Sequence, residues 1–277
     1  MNFDEYCQQK STPAGSSIYY AIRQAHRSVQ PVLTALFALR RELEEIGKKT
    51  RDLNVGYTKL IWWKNEISAL AEGCPSHPVT HALAIHHQLI DVEYNLLYGI
   101  ISGYMMDINK TRYLNFLNLK KYISMVGVGF SLLVARACIS QLKQIGSYNW
   151  TDAVGHALML TKFVQELGND ARHGHIYLPI NELQQYDVTV ADLLNCRYSS
   201  SFTKLMAFQI SRARDALSIA KSAIPKDEYY IQRTLHTQIA LAKALLAEIE
   251  REGYQVLHQH ITLTPIRKLW ISWRGMT

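Results

Sequence analysis

The amino-acid sequence predicts an all-α protein with a single domain. Apolar residues recur at helical spacing, alternating strand-like runs are scarce, and no Pro/Gly/Ser-rich linker divides the chain. A period near 3.6 residues is typical of amphipathic helices, whereas a half-buried strand alternates every second residue. Because no repeat of fixed period separates independent units either, residues 1–277 are expected to form one domain.

Two helical stripes in the later part of the chain predict a helical hairpin. Pro225 is expected to end the first helix and Gly253 the second. Further breaks between helices are expected where Gly and Pro cluster, at 12–15, 73–78, 146–147 and 178–179. The stripes consist of Met206, Ile210, Ala213, Leu217 and Ala220, and then of Ile231, Leu235, Ile239, Ala242, Leu246 and Ile249.

The charge of the chain limits its partners. A net charge of +7 and a pI near 9.1 suit a nucleic acid, an anionic membrane surface or a phosphorylated small molecule. The basic residues are interleaved with acidic ones and form no Lys/Arg-rich tail, so a nucleic-acid partner is not expected.

Cysteine usage and the N-terminus favour a reduced, cytoplasmic protein. The four cysteines are far apart, and the N-terminus lacks a basic segment followed by an apolar one. The most apolar stretch, residues 123–135, falls short of the roughly 20 residues needed to span a bilayer. We therefore interpret it as a buried helix.

The segment LTKFVQELGNDARHGHIYLP, residues 160–179, contains the most informative acidic pair. Glu166 and Asp170 are four residues apart, which places both carboxylates on one face of a helix. Such a pair suits shared coordination of Mg²⁺ with a diphosphate, or it is a solvated acidic pair near a helix end.

Two other blocks contain candidate polar residues. GYMMDINKTRY, residues 103–113, contains Asp107 and Arg112, which lie either at a pocket or on an ordinary helix surface. In GSSIYYA, residues 15–21, Ser16 and Ser17 either bind an anion or cap the helix that follows.

Together these blocks resemble the squalene/phytoene synthase family of prenyltransferases. The family's second acidic motif is D-x-x-x-D followed by A-R-x-G-R-I-Y-L-P, and its other motifs are G-M-x-M-D-x-x-x-x-R-Y and S-S-F-Y-Y-A. The stretch ALFALRRELEEI, residues 35–46, is similar to its A-L-Y-A-F-C-R-x-x-D-D-I. With the C-terminal ITLTPIRKLWISWR, the resemblance extends over nearly the whole chain.

The resemblance has five departures in and around the acidic motifs. The first motif should place metal-binding aspartates at positions 44 and 48, where this chain has Glu44 and Lys48. In the second motif Glu166 replaces an aspartate, Lys162 stands where the family usually has asparagine, and His175 where it usually has arginine.

The resemblance implies an isoprenoid-synthase-type helical bundle with a central cavity, acting on prenyl diphosphates with Mg²⁺. Glu44, Glu166 and Asp170 would bind the metal, and Glu166, Asp170 and Tyr177 would be the catalytic residues. Asp107 and Arg112 would face the pocket. The residues that would contact the substrate diphosphate are Ser16, Ser17, Arg41, Lys48, Arg172 and Arg267.

Lys48 has several interpretations. Glu42, Glu45 or Asp52 would supply a replacement metal ligand, or the Lys48 ammonium would itself take the place of one metal ion. Alternatively, Glu44 and Lys48 form an exposed i,i+4 salt bridge.

The function implied by the resemblance is head-to-head condensation of two farnesyl or geranylgeranyl diphosphates in isoprenoid biosynthesis. Two alternatives remain. One is a binding or assembly protein that has lost condensation and resembles the family's relatives that assist complex I assembly, and the other is a prenyl diphosphatase. At the C-terminus, Trp270, Ile271 and Trp273 either pack on a core or make peripheral contact with a membrane. The motifs carry no signal for an oligomeric state.

Overall fold

The structure is a computed structural model that describes residues 2–50, 52–86, 94–109, 112–139 and 148–274. Within these ranges it is helical, with one isolated bridge between Arg112 and Ile176 and no strand, so the predicted all-α class is confirmed. The helices are α1 (Phe3–Ser11), α2 (Ser17–Ile22), α3 (Gln30–Lys49), α4 (Leu53–Ala71), α5 (Pro78–Ile85), α6 (Tyr94–Ile108), α7 (Phe116–Tyr122), α8 (Gly129–Ile139), α9 (Trp150–Gln165), α10 (Leu167–Arg172), α11 (Ile180–Gln185), α12 (Val190–Leu194), α13 (Ser200–Ala223), α14 (Arg233–Arg251) and α15 (Pro265–Arg274).

The predicted hairpin is formed by α13 and α14, which pack against each other and against α9. All five stripe residues of α13 are buried, as are those of α14 from Leu235 to Ile249, while Ile231 precedes the helix and is half-buried. α13 ends two residues before Pro225, and Gly253 follows α14 with a φ of +63°. The breaks at 12–15, 73–78 and 178–179 are also present, whereas 146–147 lies outside the described residues.

α9 lies at the centre of the bundle, in contact with α8, α13, α14 and a π-helical segment, Ile123–Val128. Gly155 allows α9 to approach this segment closely, because a Cβ there would lie 2.5 Å from the backbone of Val128. The π-helical segment joins α7 to α8, and π-helical turns inside helices are frequent at functional sites.

The apolar stretch at 123–135 is a buried helical segment, as predicted. The helical run Phe116–Ile139 is long and apolar enough to cross a membrane, but 72% of its most apolar window is buried inside the protein. Burial of this kind is typical of a core helix of a bundle.

Candidate functional site

Helix α3 presents three charged side chains on one face. Arg40, Glu44 and Lys48 are spaced four residues apart and are therefore aligned along the helix. Their side chains are 17%, 11% and 22% exposed, so this face points into the bundle rather than into solvent. Burial of three charges requires partners on facing helices.

Glu44 is held by two cations and not by Lys48. Its Oε1 atom lies 2.8 Å from Nε of Arg40 and 2.5 Å from Nζ of Lys162 on α9. Burial favours the neutral carboxyl, but Lys162 and Arg40 outweigh it and hold the pKa of Glu44 well below its ordinary value. Burial lowers the pKa of Lys162, with Glu44 opposing the shift. The predicted exposed salt bridge between Glu44 and Lys48 is therefore wrong.

Lys48 instead bridges the second acidic motif. Its Nζ lies 2.8 Å from Oδ1 of Asp170 and 3.3 Å from Oε2 of Glu166. Glu166 marks the junction of α9 and α10, and its carbonyl accepts a 2.7 Å hydrogen bond from the backbone N–H of Asp170, which preserves one helical turn. The expectation that both carboxylates share a face is confirmed.

The buried position of this trio shifts its protonation equilibria. Burial disfavours the Lys48 ammonium, but Asp170 and Glu166 outweigh that effect and raise the pKa of Lys48. Burial raises the pKa of Asp170, which is 3% exposed, although Lys48 opposes the shift. Burial also acts to raise the pKa of Glu166, yet Lys48 outweighs it and the net shift is downward. Lys48 is therefore the fixed positive charge of the trio.

The acidic residues suggested as replacement ligands lie elsewhere. Glu42 and Glu45 both pair with Lys10 on α1, at 3.0 and 3.1 Å. The Asp52 side chain caps α4 by accepting a hydrogen bond from the backbone N–H of Asn54. Glu42 and Glu45 therefore stabilise the packing of α3 against α1, and Asp52 stabilises the N-terminus of α4.

Asp107 on α6 is buried beneath two tyrosines. Its Oδ1 accepts a 2.7 Å hydrogen bond from the Tyr113 hydroxyl, and its Oδ2 accepts one of 2.6 Å from the Tyr177 hydroxyl. Burial raises the pKa of Asp107, although both hydrogen bonds oppose the shift. The Tyr177 ring also stacks with those of Phe163 and Tyr122, at centroid distances of 4.5 and 5.7 Å.

These rings enclose a small space, which we call the tyrosine cavity, lined by Tyr104, Asp107, Tyr122, Phe163 and Tyr177 together with the charged residues Glu44, Lys48, Lys162 and Asp170. Its volume of about 30 Å³ holds roughly one or two water molecules. A prenyl chain does not fit in it in this conformation. The central cavity expected from the resemblance is therefore nearly closed at this point.

A larger space, the serine cavity, lies beside the tyrosine cavity and has a volume of about 430 Å³. Its polar lining includes Ser16, Ser17, Arg40 and Lys162, and Ser16 also caps α2 through its side chain. Glu44 and Lys162 line both cavities and so form the wall between them. The apolar lining consists of Ile18, Phe37, Leu158, Leu241, Ala242 and Leu245.

The charged residues do not fit the Mg²⁺ that the resemblance implies. Mg²⁺ needs a near-octahedral set of oxygen ligands that face it directly. Here Lys48 contacts both Glu166 and Asp170, and Lys162 contacts Glu44, so fixed ammonium groups neutralise the three carboxylates. Among the residues that the structure describes, no group of three or more His, Cys, Asp or Glu side chains is arranged to hold a metal ion.

Several residues assigned from the resemblance lie away from both cavities. Arg172 donates to the carbonyl of Leu257 at 2.6 Å, Arg112 donates to the carbonyl of Gly174 at 2.9 Å, and Arg267 pairs with Glu248. Each contact ties a loop or helix end to its neighbour, so these arginines are placed as structural residues.

The two neighbouring arginines of α3 differ in position. Arg41 borders the serine cavity, but its side chain is 52% exposed and pairs with Glu45. Arg40, which the resemblance did not single out, points inward, with its guanidinium 4.9 Å above the ring of Phe130. Its four-residue spacing from Glu44 was the sequence signal that could have identified it.

Comparison with known proteins supports the resemblance to the squalene/phytoene synthase family. A sequence profile for "Squalene/phytoene synthase" matches residues 12–267. The phytoene synthase of Arthrospira platensis is 26% identical, over 96% of this chain and 89% of that protein. The 15-cis-phytoene synthase of Synechococcus elongatus is 24% identical over the same shares.

Two solved structures share the fold. A dehydrosqualene synthase in complex with a ligand superposes with a TM-score of 0.81 at 16% identity, covering 99% of this chain and 95% of that one. The squalene synthase HpnC from Alicyclobacillus acidocaldarius gives 0.73 at 19% identity, covering 91% and 94%. With its helical fold and a profile match over most of its length, this chain belongs to the squalene/phytoene synthase family of prenyltransferases.

Proposed function

We propose that this chain binds a prenyl diphosphate in the serine cavity and joins its prenyl group head to head to a second prenyl diphosphate. The observation that supports this most directly is the mixed lining of the serine cavity, which combines hydroxyl-bearing and charged side chains with apolar ones. A diphosphate suits the first and an isoprenoid chain the second. A volume of about 430 Å³ lies within the roughly 300–1,000 Å³ of small-molecule sites.

Farnesyl or geranylgeranyl diphosphate is the proposed substrate. The bond between C1 of the prenyl chain and the diphosphate oxygen breaks, and its electron pair leaves with the diphosphate. Arg40 and Lys162 stabilise the charge that develops on the leaving group, since both line the cavity and both carry N–H donors.

The allylic cation lies beside the wall that the two cavities share. Tyr177, Phe163 and Tyr122 stack on the other side of that wall, where their ring faces stabilise positive charge. The double bond of the second substrate attacks the cation and closes a cyclopropane ring, and the released diphosphate takes the proton that is lost.

A second candidate, hydrolysis of one prenyl diphosphate to its alcohol, is favoured by the size of the tyrosine cavity. At about 30 Å³ this space admits water but not a second prenyl chain unless it opens. The same ionisation then ends with attack by water instead of a double bond.

The products distinguish these functions. We expect purified protein incubated with labelled farnesyl or geranylgeranyl diphosphate, in parallel with millimolar MgCl₂ and with EDTA, to form presqualene diphosphate, dehydrosqualene or phytoene, none of which needs a reductant. Farnesol or geranylgeraniol as the sole product would identify the hydrolase. Saturable binding of substrate without any product would identify a binding protein.

The exposed face of the C-terminal helix α15 favours contact between this protein and a membrane surface. α15 is inverted relative to an ordinary surface helix, because it buries Lys268 and Ser272 and exposes Ile266, Leu269, Trp270 and Trp273. α15 packs on α2 and α14, which both line the serine cavity, and Lys268 donates to the carbonyl of Gly15 beside Ser16. We propose a cytoplasmic protein that rests on an anionic bilayer through this face, in keeping with its net charge of +7.

Vesicle sedimentation tests the membrane contact. We expect replacement of Trp270 and Trp273 by serine to weaken binding to vesicles of phosphatidylglycerol and phosphatidylcholine by about tenfold or more, since the apolar area of two indoles is lost. Trp62→Ser, which removes a tryptophan of similar exposure on α4, is the control and should leave binding unchanged. Equal binding by all three proteins would contradict the proposed surface.

A further inference from the structure

The acidic residues at the positions of the two metal-binding motifs are balanced by cations of the protein itself. Three carboxylates, of Glu44, Glu166 and Asp170, face three cations, of Arg40, Lys48 and Lys162. A cluster of carboxylates that binds divalent metal has surplus negative charge, and that surplus is absent from this group.

Each of the three cations differs from the residue that the family motifs have at its position. Arg40 and Lys162 each add one positive charge where the motifs have neutral cysteine and asparagine, and Lys48 replaces a negative charge with a positive one. These three exchanges together add four positive charges, the charge of two divalent cations, whereas a neutral His175 in place of arginine removes one. The three cations form two neighbouring sets of ion pairs, Arg40 and Lys162 with Glu44 and Lys48 with Glu166 and Asp170. Both sets contribute side chains to the lining of the tyrosine cavity.

The same cations retain the capacity to bind a ligand. A lysine ammonium has three N–H donors and an arginine guanidinium five. The contacts of Lys162 and Arg40 with Glu44 therefore leave donors for phosphate oxygens in the serine cavity, which both residues line. Lys48 lines the tyrosine cavity and fixes Glu166 and Asp170 beside it.

We propose that this site binds the diphosphate of its substrate without a divalent metal ion, with Arg40 and Lys162 contacting the diphosphate and Lys48 neutralising the second acidic motif. The inference rests on the proposed function for the identity of the ligand. It extends that function by assigning to three side chains of the protein the charge that metal ions would otherwise provide.

Binding of a non-ionising substrate analogue tests the proposal without any turnover. Isothermal titration of the full chain with farnesyl thiodiphosphate is expected to give a Kd in EDTA that is equal to, or lower than, the Kd in millimolar MgCl₂. Mg²⁺ has no site to fill on the protein and competes with the lysines for the diphosphate oxygens in solution. Binding only in the presence of Mg²⁺ would overturn the inference and leave the proposed function intact, whereas no binding in either condition would overturn both.

A variant that restores the family residues provides the converse test. Lys48→Asp/Lys162→Asn should lose about tenfold or more in affinity in EDTA and recover it in MgCl₂, since four carboxylates would then surround the site. Its melting temperature should also rise on addition of MgCl₂, while that of the wild type stays unchanged. Lys204→Asp, on the exposed side of α13 and outside both cavities, is the control for added negative charge. A folded double variant that ignores Mg²⁺ in both measurements would contradict the assignment of the lysines.

Discussion

Replacing Gly168 with alanine is expected to lower the free energy of unfolding by about 3 kcal/mol or more, a large fraction of the stability of a typical domain. A Cβ at this position of α10 would lie 2.1 Å from the carbonyl oxygen of Leu257 and 2.5 Å from its carbonyl carbon. Because these are backbone atoms, no side-chain rotation relieves the overlap, and one of the two segments has to move.

The displacement should also reach the site. Gly168 lies between Glu166 and Asp170, so a shift of α10 away from Leu257 lengthens the contact of Asp170 with Lys48. Urea unfolding followed by circular dichroism measures the loss of stability. Gly99→Ala on α6 is the matched control, since its Cβ meets no atom within 4 Å and should change stability by no more than about 1 kcal/mol. Equal stability of the two variants would contradict the packing of α10 described above.

Replacing Lys162 with methionine is expected to weaken binding of farnesyl thiodiphosphate by about 10- to 100-fold, the effect of losing a charge-assisted hydrogen bond of about 1.5–3 kcal/mol. Methionine keeps most of the length and apolar volume of the side chain and removes its charge. Glu44 keeps Arg40 as a partner at 2.8 Å, and the cost of burying the ammonium disappears. We therefore expect the melting temperature to change by no more than a few degrees, about 4 °C.

Arg41→Met is the informative comparison for this variant. The family resemblance assigns a diphosphate contact to Arg41, whereas the structure leaves its side chain half-exposed and paired with Glu45. Titration with the same analogue should show a change of less than about threefold for Arg41→Met. A larger loss for Arg41→Met than for Lys162→Met would reverse the ranking of the two residues.

Gly168→Ala and Lys162→Met test two different properties of the site, the packing that forms it and the charge that contacts the ligand. Gly168 determines whether the acidic motif stands close to α3, because its missing side chain allows α10 to lie against the backbone at Leu257. Lys162 acts after that packing is complete, as a charge placed between the two cavities. Loss of stability in one variant and loss of affinity in the other would separate the role of the scaffold from that of the ligand contacts.

The sequence predicted the helical class, the α13–α14 hairpin and the common face of Glu166 and Asp170 because these depend on residues close together in the chain. Helical periodicity and i,i+4 spacing are local properties, and they specify a face before any packing is known. The sequence also contained the whole inventory of charges, including the exchange of an acidic residue for Lys48 in the first motif.

Pairing of those charges was decided by tertiary structure. The i,i+4 spacing of Glu44 and Lys48 predicted a contact that does not form, because the facing residues Lys162 and Asp170 lie more than a hundred positions along the chain. A buried charge takes the partner that the packing of helices places nearest, and local spacing does not encode that choice.

Tertiary structure likewise determined which side of α15 faces outward and how much space the site contains. The sequence left open whether Trp270 and Trp273 pack on a core, and the structure exposes them by turning Lys268 inward. Cavity volume depends on the distance between helices, which the sequence pattern does not specify. Only the packed helices show that the tyrosine cavity is nearly closed and the serine cavity is open. The sequence by itself determined the helices, through local periodicity, and the charges that each helix carries. The packing of the helices against one another decided which charges meet and where a ligand fits.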